Sequence, residues 1–92
     1  MSKREKRLQK IRQNPTNVSM DELEKVLNDY GIERDHATGS HYIFRYTLEG
    51  QHLRLSIPYR KPIKAIYVKE SIVVIDQIRA TQKETENDDQ EP

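Results

Sequence analysis

The clearest pattern in the chain is the alternation Ser40-His41-Tyr42-Ile43-Phe44-Arg45-Tyr46-Thr47. Side chains of an extended strand point to opposite faces in turn, so Tyr42, Phe44 and Tyr46 share one face while His41, Ile43 and Arg45 share the other. The aromatic face has the character of a core. The second face carries an imidazole and a guanidinium, and on a small antiparallel sheet it can stay in water. Leu53, Leu55 and Ile57 alternate in the same way with His52, Arg54 and Ser56, and Pro58 closes that strand. If the aromatic and leucine sets share the buried face, His41, Arg45, His52 and Arg54 gather on the wet one. Alternation alone does not fix the pairing register, so which of these four are neighbours stays open. A short polar strand, Ile32 to His36, precedes them, with turns at Ala37-Thr38-Gly39 and Glu49-Gly50.

Helical spacing flanks the strands. Met20, Leu23, Val26, Leu27 and Tyr30 recur on one face, Ser19 and Glu22 have the separation of a capping box, and Gly31 supplies a left-handed stop. The last helix runs from about Ala65 to Arg79 and buries Val68, Ile72, Ile75 and Ile78. Ile66, Val73 and Val74 lie partly off that stripe, which implies extra cover from the N-terminal segment or from a partner. Residues 3 to 13 can form an extra N-terminal helix with Leu8 and Ile11 as its two apolar anchors, ended by Asn14-Pro15. Two helices stacked on one face of a three-stranded antiparallel sheet bury both stripes and leave the other face free. The expectation is an α+β two-layer sandwich in the order helix, three strands, helix.

Charge divides the chain further. The formal net charge is +1, yet residues 1 to 12 hold Lys3, Arg4, Lys6, Arg7, Lys10 and Arg12 against Glu5, and residues 81 to 92 hold five acidic groups against Lys83. The division is therefore a basic arm over 1 to 16, one folded domain over 17 to 80, and an acidic tail over 81 to 92 expected to be disordered. The arm can contact phosphate in a salt-dependent way or serve only as a solubilising end. With no cysteine among 92 residues, neither a disulfide nor a thiolate metal site is available, which fits a reducing cytoplasm. The longest apolar run, Ile72-Val73-Val74-Ile75, is too short for a membrane span, and no signal-peptide apolar core follows the basic N-terminus. The three histidines, with Glu33 and Asp35, lack metal-ligand spacing, so neither a metal nor another cofactor is expected.

Four features in order make the chain resemble the HicA family of small toxins from toxin-antitoxin modules, also known through the YcfA-like domain. They are the helix Ser19-Met20-Asp21-Glu22-Leu23-Glu24-Lys25-Val26-Leu27 followed by Gly31, then Gly39-Ser40-His41-Tyr42-Ile43-Phe44, then the strand ending at Ile57-Pro58, then Pro62-Ile63-Lys64 before the last helix. The resemblance covers roughly residues 17 to 78. It implies the fold of a double-stranded-RNA-binding domain and an endoribonuclease that cleaves mRNA and inhibits translation. His41 stands where the family has its catalytic histidine. The implied partner is a HicB-type antitoxin, which covers the active face and shares in binding operator DNA. A histidine that many members carry shortly after the proline ending the third strand is replaced here by Tyr59-Arg60.

Attack of a 2′-hydroxyl on the adjacent phosphate requires a proton acceptor and positive charge around the developing phosphorane, with no metal. A histidine titrating near neutrality suits the first role, so His41 is the candidate general base and His52 the available second histidine. Arg45 can hold the phosphate through two nitrogens. Arg54, Arg60, Lys61 and Lys64 are candidate phosphate contacts, Ser40 can orient His41, and Gly39 leaves backbone open to a nucleotide. Binding of RNA or protein without catalysis is the alternative function, with His41 a neutral contributor.

Overall fold

Two tight turns set the sheet. In the computed structural model, which describes residues 2–86, strands β1 (Glu33–Thr38), β2 (His41–Leu48) and β3 (Gln51–Pro58) pair antiparallel in the order β1-β2-β3. Gly39, at φ 56°, opens the loop between β1 and β2, and Glu49 and Gly50, at φ 53° and 82°, form the loop between β2 and β3. Two successive positive φ values match the twist of the flanking strands, and glycine takes the second without steric cost.

Register then decides what faces what. Tyr42 lies opposite Ile57, Phe44 opposite Leu55 and Tyr46 opposite Leu53, so the aromatic and leucine sets do share a face. Phe44 and Ile57 have no solvent exposure, and Tyr42, Tyr46 and Leu55 pack against the same core. On the other face Arg45 lies opposite Arg54 and Thr47 opposite His52. β1 carries a bulge between Arg34 and His36: Arg34 pairs with Phe44, His36 with Ile43 and Thr38 with His41.

Helices α1 (Lys3–Gln13), α2 (Met20–Asp29) and α3 (Ala65–Glu86) complete the chain. At the start of α2 the Ser19 hydroxyl accepts from the Glu22 amide and the Glu22 carboxylate accepts from the Ser19 amide, and Ser2 with Glu5 repeats the device on α1. Leu23, Val26 and Leu27 of α2 and Val68, Ile72 and Ile75 of α3 meet Phe44 and Ile57 in one buried cluster. The architecture is α+β, and among the described residues helices cover the antiparallel sheet on its aromatic face alone.

Three expectations change. Residues 3 to 13 are not a free arm, because Leu8 and Ile11 are buried at 3% and 2% exposure and ion pairs to α2 and α3 hold the helix down. The last helix continues to Glu86, so residues 81 to 86, expected to be disordered, are helical. Gln82, Lys83 and Glu84 are good helix formers, and extending an existing helix needs no new nucleus. Residues 87 to 92 of the acidic tail lie outside the described residues. β1 also ends at Thr38 and not at His36, since the hairpin closes with only Gly39 and Ser40 between paired residues.

Candidate nuclease site on the open sheet face

His41 begins β2 at the end of the sheet that carries the first hairpin, and its side chain is exposed while Tyr42 and Phe44 turn toward the helices. Its cross-strand neighbours are Thr38 on β1 and Pro58 on β3. The Tyr59 amide donates to the Ser40 carbonyl at 2.6 Å, which carries the strand pairing past Pro58 and ties the following loop to the turn in front of His41. Tyr59 also stacks on Tyr42, with centroids 5.7 Å apart and ring planes 19° from parallel. On its β1 side Tyr42 receives the Arg34 guanidinium, 4.9 Å from the ring centroid. Gly39 and Ser40 thus sit at the tip of the turn beside His41, exposed and backed by a fixed stack.

The basic loop belongs to the same end. Arg60, Lys61 and Lys64 are exposed, and none has a carboxylate partner among the described residues. Ile63 between them is buried and its amide donates to the Val18 carbonyl at 2.9 Å, so the loop is anchored while its charges face water. A cleft of ≈ 540 Å³ opens between this loop and the connection from α1 to α2, bordered by Asn14, Asn17, Met20, Tyr59 and Lys61.

Arg45 and Arg54 lie on the open face as expected, but they are not free there. Two like charges directly opposite on neighbouring strands repel, and here β1 supplies the compensation. Arg45 pairs with Glu33 at 3.2 Å and Asp35 at 3.6 Å, and Arg54 reaches across β2 to Asp35. The centre of the open face therefore holds two guanidiniums against two carboxylates, electrically balanced and not a bare cationic patch. The hydrogen bond from Arg54, then that from His36, keeps the Asp35 carboxyl below the usual carboxylate range.

His52 does not join His41. Its partner in the register is Thr47, six positions along β2 from His41, which is about 20 Å of strand. It accepts or donates at 3.3 Å to the Thr47 hydroxyl and borders a separate depression with Tyr46 and Leu53. One phosphate cannot touch both rings.

The histidine near His41 is the one that alternation left out. Without a bulge His36 would point to the helices; the extra residue at Asp35 turns it to the open face, across from Ile43. It is then a diagonal neighbour of His41, whose partner Thr38 is two residues further along β1, a separation of about 7–8 Å between Cα atoms. The His36 Nδ1 lies 3.2 Å from the Asp35 carboxylate, and its side chain is 53% exposed. A polar strand followed by a turn gives no alternation from which to read this, and only the His-next-to-Asp sequence hinted at it.

Among the described residues no three of His, Asp and Glu converge as a metal-ligand set. Among them, too, no helix is long and apolar enough to cross a membrane. No protein-family model, curated protein or solved structure matches the chain.

Proposed function

We propose that this chain is the toxin of a toxin-antitoxin module of the HicA kind, a metal-independent endoribonuclease of the cytoplasm that cleaves mRNA and so inhibits translation. The observation that carries the reading is the exposed His41 on the open face, beside a basic loop whose charges have no carboxylate partner among the described residues. The order α2-β1-β2-β3-α3, with helices on one sheet face, supports the finer assignment to a double-stranded-RNA-binding-domain-like fold. A HicB-type antitoxin covering the open face, with operator DNA bound only by the pair, belongs to the same proposal.

In this mechanism neutral His41 takes the proton of a 2′-hydroxyl as its oxygen attacks the adjacent phosphorus. Arg60, Lys61 and Lys64 supply the positive charge that the phosphorane needs. Arg45 and Arg54 contribute only if phosphate displaces Glu33 and Asp35 from them. The alternative of an RNA- or protein-binding module without catalysis predicts association without scission.

Purified protein, freed of any antitoxin, is expected to cleave single-stranded RNA at an undiminished rate in excess chelator. His41→Ala is expected to lose about 10²–10⁴-fold, the range of a general acid-base group, with its thermal midpoint unchanged. Equal cleavage by the variant removes His41 from the mechanism, and salt-sensitive binding with no cleavage by either protein establishes the alternative.

A further inference from the structure

The geometry points to His36 as the second proton-transfer group of this site, donating to the leaving 5′ oxygen, with Asp35 as the residue that positions it. The inference rests on the endoribonuclease reading above and adds to it the half of the reaction that one histidine leaves unserved.

Three observations converge. The bulge at Asp35 places His36 diagonally across from His41, on the same face and at the same end of the sheet. Both rings are exposed, so a phosphodiester can reach them together. The Asp35 carboxylate, itself fixed by Arg45 and Arg54, sits 3.2 Å from His36 Nδ1. A carboxylate only accepts, so it holds the tautomer with hydrogen on Nδ1 and leaves Nε2 as the working atom. The charged and titratable groups around His36 on the open face are Asp35 on its own strand, His41 and Arg45 on β2, and Arg54 on β3.

The step balances without a further reagent. The 2′ oxygen bonds to phosphorus as its proton passes to His41, and the P–O5′ bond breaks as Nε2–H of protonated His36 passes its proton to O5′. The products are a 2′,3′-cyclic phosphate and a 5′-hydroxyl, with His41 now protonated and His36 neutral. Water adding to the cyclic phosphate by the reverse roles, or exchange with solvent, restores both. His52, at the far end of the sheet, takes no part.

The test separates acid from base by the leaving group. Wild type, His36→Ala, His36→Gln, His41→Ala and His52→Ala are compared on a single-stranded oligoribonucleotide and on a ribonucleoside 3′-(4-nitrophenyl) phosphate, whose leaving group departs without a proton. Both His36 variants are expected to lose about 10²–10⁴-fold on RNA and to keep wild-type rates within about threefold on the activated ester, which also shows that the site is folded. His41→Ala is expected to lose on both substrates and His52→Ala on neither. The pH profile on RNA changes from a bell in wild type to a single rise with pH in His36→Gln, because only the base then has to be in the right form. His36 variants that cleave RNA at the wild-type rate, or that lose equally on both substrates, overturn the acid role. If that happens while His41 remains essential, the nuclease reading stands and this inference alone fails. A wild type that cleaves neither substrate removes both.

Discussion

Arg7 and Arg12 of α1 and Arg45 and Arg54 of the sheet all have carboxylate partners, yet the two pairs do different things. Arg7 gives two nitrogens to Asp29, both at 2.8 Å, and Arg12 gives two to Asp76 at 3.0 and 2.9 Å, each joining α1 to another helix beside buried Leu8 and Ile11. Arg45 and Arg54 oppose each other on adjacent strands, share Asp35, and leave 57% and 60% of their side chains in water. The first set fastens an element over the core. The second keeps an open surface neutral. A cation is available to phosphate only when the fold holds no carboxylate within its reach, and neither composition nor a run of basic residues reveals that. By this measure Arg60, Lys61 and Lys64, in the loop after Pro58, are open to phosphate, whereas Arg7, Lys10 and Arg12 of the N-terminal segment are engaged.

The largest expected effect breaks the comparison on the α1 side. Leu8→Ala and Ile11→Ala each remove a side chain at 3% or less exposure, so each is expected to cost about 2–5 kcal/mol of unfolding free energy in urea. RNA cleavage by the fraction that stays folded should be unchanged. The opposite pattern, full stability with weakened RNA binding, would make α1 a nucleic-acid arm after all.

A smaller effect comes from acid. The Arg12 hydrogen bonds hold the Asp76 carboxyl below its ordinary range, and the Ser19 amide, then Lys10, do the same for Glu22. A depressed folded-state pKa means stabilisation that is complete above the unfolded value of about 4 and is lost as pH falls through the lower folded value. Thermal midpoints should therefore be flat from neutrality to about pH 5 and fall below pH 4. Asp76→Asn is expected to lower the neutral-pH midpoint slightly and to flatten that acid limb, with a steepness equal to wild type counting against the Arg12 pair as its source. These groups are largely solvated, so the pair contributes within about 1 kcal/mol.

The same contrast marks how far the sequence could be read. Ser19-x-x-Glu22, the stripe from Met20 to Tyr30 and the alternation from Tyr42 to Tyr46 each follow one local rule, and each element forms where that rule puts it. His41 emerged as a wet-face residue for the same reason. What escaped depends on pairing between separate segments. The bulge at Asp35 has no signature in a strand that is exposed along its whole length, and it alone turns His36 toward His41. The register, not the alternation, places His52 far away. Helix α1, with two apolar anchors, needs docking to persist, and the docking was out of sight because Asp29 and Asp76, which hold Arg7 and Arg12, lie 22 and 64 residues further on.

The smallest effect sharpens the comparison on the sheet side. If Glu33 and Asp35 stand in for phosphate on Arg45 and Arg54, neutralising them frees two guanidiniums without adding any charge to the chain beyond theirs. In a His41→Ala background, where RNA stays intact, the double variant Glu33→Gln, Asp35→Asn should bind single-stranded RNA more tightly at low salt. Its plot of log binding constant against log salt should steepen by about 0.7 for each guanidinium that gains a phosphate. An unchanged slope would place the RNA backbone wholly along Arg60, Lys61 and Lys64, with the strand arginines serving only to hold β1 and Asp35 in place. Either slope tells which cations the backbone follows, because counterion release counts phosphate contacts and is blind to the acid-base step at His36 and His41.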